Sequence, residues 1–562
     1  MFAYNGTAAP SHRELMRIYQ AAFDVRVASG EIRPLLLPHD GYGLFALLIY
    51  LCISHVNRPW LYAARWPLLA FIVAFDLNLI RGTKSMWVGT GFVVGLIAAW
   101  GILWSATWLV WNAPQFDAKR VQRKEDKKRL TAMSPQSMEV KPQANGNIKS
   151  LSNGKANGEA AKKDAGLRQR QVQDRHIKEG KQENGQADIK VKVGERVEEP
   201  AQSEYFWQSY PTDSLRDRID WVFDLIFNFR GLGWNWEVTS NPSLPAHVKV
   251  GLGEPVDIKS MQIKSSIGIK RFTSHAELFR TQIPRFIFGY LLLDALKVIL
   301  MKDPYFTLGP NDLPLPPHLS GFSPTTVTMI REALSCIAII TALETIFLLC
   351  PLFLCLILGP DVLNARGEFW QYPTTWGSFE NITKMGLQGF WGGWWHQTFR
   401  YAFAAPTKFM IRHGILEPKS KATRLFGAVV AFGMSGFLHA SGSYTQIPDT
   451  IPLNLFLFFM LQAVGIIIQS SFCEYFKGWI RRLPMTTRTA GNFAFTFTWL
   501  YCTSPLLIDD FARGGIWLFQ PVPISPLRAL GYGEPGDSWW CWEDVRISWY
   551  AGKHWWERGL AI

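Results

Sequence analysis

The chain has 562 residues, 48% of them hydrophobic, a length that would suit several soluble domains, yet its apolar residues gather in runs near or above the roughly 18 that a bilayer-spanning helix needs. Its net charge of +13 does not call for nucleic acid: segment 119–200 carries 20 basic and 12 acidic residues, so eight of the thirteen excess charges sit in one polar insert, as suits a cytosolic face beside anionic lipid. Seven cysteines, an odd number with no CxxC pair and no His at metal spacing, predict buried bulk, with no disulfide framework and no metal site.

Residues 1–37 read as a surface segment. The sequon at Asn5 is usable only if that end is lumenal, and no basic-then-apolar-then-small pattern marks a cleavable signal. Three apolar runs follow within 38–112, at 41–56, 60–80 and 86–111. The second carries Asp76, which must face protein or the interface, because a carboxylate against hydrocarbon costs several kcal/mol. The basic cluster KRVQRKEDKKR at 119–129 sets that end of the third span in the cytosol. It opens a basic insert, 113–204, whose stretch 131–203 is too poor in apolar residues to offset its backbone entropy and is expected to be disordered.

Order is expected to resume at Tyr205, opening a membrane domain over 205–562. Segment 214–229 has a capping Ser214 and an apolar face, the pattern of an amphipathic helix lying on the membrane. The motif RGLGWNW at 230–236 ends it, with two glycines breaking the helix and two tryptophans placed to anchor at the interface. A fourth span, 286–301, holds Asp294 and Lys297 at a spacing that lets them pair. A fifth, 330–358, carries Glu344, which must face inward. Spans at 425–440, 452–470 and 490–508 bring the count to eight, within a range of seven to ten, and a Trp-rich tail covers 539–556. The fold class is therefore all-α, a polytopic transmembrane bundle. Counting from the basic cluster puts 364–424 and Arg481-Arg482 on the cytosolic side.

Two stretches stand out within this scaffold: NITKMGLQGFWGGWWHQTFR at 381–400 and FGMSGFLHA at 432–440. The first is too aromatic for a loop and too polar for a lipid-facing helix. Helical side chains lean over residues three and four earlier, so His396 would project over Gly393 and Gly392, and His439 over Gly436 and Ser435. Both imidazoles would then face open space. The bland reading is a pair of satisfied core histidines, with small residues serving helix packing.

At these residues the sequence resembles the membrane-bound O-acyltransferase superfamily, in its wax synthase-like branch. The likeness rests on Phe390-Trp391-Gly392, Trp395-His396-Gln397 and Arg400, on Ser435-Gly436 with His439, and on the lesser cues RGLGWNW and Asp303-Pro304-Tyr305-Phe306. The superfamily often has Asn where His396 stands, and basic residues where this chain has Gly393 and Trp394. The resemblance implies acyl transfer from an acyl-CoA to a hydroxyl inside a tunnel through the helical body. It implies His439 as general base and His396 as the group that orients the thioester or stabilises the oxyanion. Trp391, Trp395, Gln397 and Ser435 would line the substrate site, and Arg400 would meet a CoA phosphate. No covalent acyl-enzyme is required, because a thioester is already activated.

The likeness is strongest to fungal members that acetylate terpenoid or meroterpenoid metabolites. It implies acetyl-CoA as co-substrate, no permanently bound cofactor, a hydrophobic hydroxylated acceptor, contact with membrane lipid and a multi-pass location in the endoplasmic reticulum. A long-chain acyl-CoA wax or sterol ester synthase is the alternative within the family. A transporter, with Asp76, Asp294, Lys297, Glu344 and the histidines as an ion path, is the alternative of another class, and a scaffold acting through 131–203 is a third.

Overall fold

In hydrocarbon a backbone satisfies its hydrogen bonds within a helix or a closed barrel. The computed structural model is accordingly mostly helical, with strands confined to short edge pairings. It describes residues 10–87, 89–124, 204–254, 263–543 and 546–562. The disorder expected over 131–203, most of the 113–204 insert and the Asn5 sequon lie outside the described residues.

Among the described residues five helices are long and apolar enough to cross a membrane: Pro59–Gly82, Phe92–Trp111, Pro324–Gly367, Lys421–Tyr444 and Pro452–Tyr475. They fall on five of the eight expected spans. The run at 41–56 instead forms Tyr42–Cys52, a helix of about 16 Å against a hydrocarbon core of roughly 30 Å. The run at 490–508 is divided, with Met485–Thr503 ending before Pro505 opens the helix Pro505–Arg513.

The fourth expected span is the 26-residue helix His275–Leu300. Its Asp294 and Lys297 do not pair with each other. Asp294 accepts from Ser525 Oγ and from the Leu527 amide, and Lys297 Nζ donates to the Trp517 carbonyl at 2.6 Å. Each buried charge is met by hydrogen bonds from the C-terminal segment, which outweigh the mutual attraction that the spacing predicts. Glu344 faces inward as expected, joined to Arg285 at 2.8 Å and to Trp376 Nε1 at 2.6 Å.

Helix Leu215–Phe227 is capped by Ser214, whose side chain accepts from the Asp217 amide. Trp221, Val222, Leu225 and Ile226 are buried beneath it, while Leu215, Ile219, Phe223 and Phe227 remain exposed along its outer edge. Gly231 and Gly233 then take φ of +66° and +72°, a conformation that costs glycine little. This reversal folds Trp234 back onto Trp221, with ring centroids 4.9 Å apart, and sets Trp236 4.4 Å from Tyr401. The tryptophans of this motif are therefore core residues and not interfacial anchors.

Strand Arg120–Arg123 runs antiparallel to Tyr205–Gln208, with Arg123 opposite Tyr205. The start of the basic cluster thus belongs to the folded body. Strand Leu36–Leu37 pairs with Arg558–Ala561. The cysteines differ from expectation: Cys355 is buried, but Cys336, Cys350, Cys473 and Cys502 are exposed. Lipid is as apolar as protein interior, so hydrophobic surroundings in sequence do not separate the two faces of a membrane helix.

The His439 helix, Lys421–Tyr444, is gripped on two sides. A Cβ on Gly95 of helix Phe92–Ala106 would stand 1.9 Å from the Ser441 carbonyl oxygen, and one on Gly436 would stand 2.9 Å from the Phe456 ring. Only glycine permits these approaches.

Candidate active site

A cavity of about 2650 Å³ lies in the helical body, and all seven residues singled out from the sequence line it: Trp391, Trp395, His396, Gln397, Arg400, Ser435 and His439. The two histidines reach it in different ways.

His439 stands on a continuous helix. Its Nδ1 lies 2.8 Å from the Ser435 carbonyl oxygen four residues earlier. A carbonyl only accepts, so Nδ1 carries the proton, and Nε2 is left with a lone pair. The ring lies 4.2 Å from that of Phe459 and 6.3 Å from that of Phe92, which keeps it in apolar surroundings. Ser435 fixes the imidazole through its main chain, and its side chain faces the cavity. Gly436 does not open space under the ring as the sequence pattern predicts, because it is filled from the other side by Phe456.

His396 is not on a helix. Residues Phe390–Trp394 form a π turn, Trp395 leaves it with ψ of 150°, and the next helix begins at Arg400. The Gly-under-His argument therefore fails here in its helical form. Gly393 instead admits the side chain of Asn381, which a Cβ would meet at 2.7 Å. The His396 ring is held by aromatic edges, Phe347 at 5.2 Å and Trp376 at 5.8 Å with planes 89° apart. Trp376 is fixed in turn by Glu344 and, through it, Arg285. His396 Nδ1 is buried without a hydrogen-bond partner among the described residues.

The tryptophans form the wall assigned to them. Trp391 Nε1 donates to Gln462 Oε1 at 3.3 Å, and its ring meets Phe459 at 6.1 Å, so one phenyl group touches both the His439 and the Trp391 side of the cavity. Trp395 stacks on Phe390 at 5.7 Å. Gln397, besides lining the cavity, has both polar atoms of its amide engaged by the protein. Its Nε2 donates to the carbonyls of Trp391 and Trp395 and its Oε1 accepts from Arg400 Nη1 at 2.7 Å, so it braces the turn that carries His396.

The cavity wall also includes Lys408, Lys419, Lys421 and Arg424. Lys421 is shared with Glu474 at 2.6 Å. The sequence marks 364–424 only as cytosolic, and none of these four cations is singled out there. Their charge within so apolar a wall was the available signal. Gln462, a lone amide in an apolar run, was another. Trp376 and Phe347 gave no signal, because their role comes from long-range packing.

Residues 372–461, which contain both histidines, match the model of the Membrane bound O-acyl transferase family. The chain is similar to the O-Mevalon transferase macI of Penicillium terrestre, 25% identical over 358 residues that cover 60% of this chain and 69% of that one. It is also similar to the Acetyltransferase pyr8 of Aspergillus fumigatus, at 23% over 57% of this chain and 71% of the relative. The Acetyltransferase ataH of Aspergillus terreus is 28% identical over 27% of this chain and 52% of its own. No solved structure matches.

Proposed function

We propose that this chain, an O-acyltransferase of the membrane-bound kind, moves an acetyl group from acetyl-CoA to a hydroxyl of a hydrophobic terpenoid or meroterpenoid, with His439 as general base. The observation that carries the reading is the bond from His439 Nδ1 to the Ser435 carbonyl, which leaves Nε2 as the free lone pair of a residue that lines the cavity. As the acceptor oxygen attacks the thioester carbonyl, Nε2 takes its proton, and the Ser435 carbonyl stabilises the imidazolium that forms. Collapse of the tetrahedral intermediate breaks the carbon–sulfur bond, and the proton passes to the departing sulfur to give free CoA. Such proton transfer typically contributes about 10² to 10⁴ in rate.

His396, with a buried ring nitrogen left without a hydrogen-bond partner among the described residues, is suited to donate to the oxyanion. The cations from Arg400 to Arg424 suit the phosphates of CoA, and an orientation with 364–424 in the cytosol would present them where acyl-CoA is available. Eight spans, with His275–Leu300 and Met485–Thr503 among them, and a reaction tunnel through them belong to the same reading, as does residence in the endoplasmic reticulum. The names of pyr8 and ataH support acetyl as the group transferred. The name of macI favours a second reading, a mevalonyl-type acyl donor, for which the cavity has room.

The test is mass spectrometry of products from microsomes given acetyl-CoA, a mevalonyl thioester or palmitoyl-CoA with a panel of hydroxylated terpenoids. Acetyl esters that vanish in His439→Ala at equal protein level support the proposal. Palmitoyl esters alone, or esters undiminished by that substitution, overturn it.

A further inference from the structure

Asp76 has no evident use in the chemistry above. It sits in the membrane helix Pro59–Gly82, 5% exposed, and among the described residues no hydrogen bond or ion pair reaches its carboxyl. Leaving such a group unsatisfied in apolar surroundings costs several kcal/mol. The surrounding helices nevertheless make room for it. A Cβ on Gly43 would stand 2.9 Å from Oδ1, and one on Gly101 would stand 2.7 Å from Oδ2, so two other helices present glycine against the carboxyl where it now lies.

The same carboxyl lines the cavity that holds the two histidines, and none of that cavity's cations pairs with it. Its neighbour Asp40, also on the wall, is already taken up by Arg33 and the Leu36 amide. Leu79, one turn beyond Asp76, shares an apolar cluster with Ala98 and with Leu438, the residue before His439. Asp76 and the proposed base thus stand on helices joined by one apolar cluster and line one cavity, an arrangement suited to a molecule that carries an oxygen at each end.

We infer that Asp76 is an acceptor-binding residue whose carboxyl hydrogen-bonds a second oxygen of a polycyclic alcohol, remote from the hydroxyl that is acylated. The inference rests on the acyl-transfer reading and narrows its acceptor to an oxygenated polycycle, which a simple fatty alcohol is not. A site built to hydrogen-bond a substrate oxygen rejects the analogue that lacks it.

The experiment uses purified full-length protein in lipid nanodiscs and dicyclohexylcarbodiimide, an apolar reagent for carboxyls, with modification of Asp76 read by peptide mass spectrometry. Three probes compete: 5α-androstane-3β,17β-diol, 5α-androstan-3β-ol and hexadecanol. The diol is expected to slow labelling about fivefold, and the other two to leave it nearly unchanged. In acetyl-transfer assays the ratio of diol to mono-ol turnover is expected to fall about tenfold in Asp76→Leu and much less in Asp76→Asn, which keeps a hydrogen-bonding group. Asp76→Leu is expected to melt no lower than the parent. Absence of labelling, equal protection by all three alcohols, an unchanged ratio in Asp76→Leu, or a melting point restored only by Asp76→Asn would each overturn the inference. If the diol alone protects Asp76 but no acetyl ester forms, the acetyl-transfer reading falls and the binding site stands.

Discussion

The two histidines share one cavity and are held by opposite means. His439 is fixed by its own helix, through a hydrogen bond to the carbonyl four residues earlier that also decides which nitrogen carries the proton. His396 lies on a link between helices, held by aromatic edges and by a turn that Gln397 pins, with one ring nitrogen unengaged. On the proposed reading the contrast separates two tasks. A base needs a defined lone pair at a fixed place, which a helix supplies; a group that meets a developing charge needs an unspent hydrogen-bonding atom, which a buried link leaves open.

The sharpest way to break this comparison is to exchange the burdens. His439→Ala is expected to lower kcat by about 10³ at unchanged protein level, measured by single-turnover acetyl transfer. A fall no larger than that of His396→Ala would make the two imidazoles equivalent. His396→Ala should cost less, about 10², and His396→Asn should recover about tenfold of it, because an amide can still donate to an oxyanion. If Asn at 396 is as damaging as Ala, the unengaged nitrogen has no part in the reaction.

The outlying groups should matter less. Replacing Lys421 and Arg424 together by Glu is expected to raise KM for acetyl-CoA about tenfold, more than it lowers kcat, with a weaker dependence on salt. A change confined to kcat would detach these cations from the donor. The smallest expected effect is that of Trp376→Phe, which keeps the ring beside His396 but removes the hydrogen bond to Glu344: about a threefold loss of turnover. If the same substitution left His396→Asn untouched but slowed the parent, the support would act through His396.

Much of this was legible in the sequence where a local rule applied. Ser214 caps its helix as expected, five of the spans are where apolar length puts them, and the His439 ring reaches the carbonyl four residues earlier as helix geometry predicts. The failures came where distant chain decides. Asp294 and Lys297 are at pairing distance in sequence, but the C-terminal segment offers each a better partner. Trp234 and Trp236 look like interfacial anchors until Gly231 and Gly233 turn them inward. His396 has glycines at helical offsets, but the helix ends before it.

The antiparallel pair formed by Arg120–Arg123 and Tyr205–Gln208 sets Arg123 beside Tyr205. The chain therefore leaves the described body and rejoins it at neighbouring points, so a grafted domain whose own termini lie close together would fit between Arg123 and Tyr205 without pulling the two strands apart.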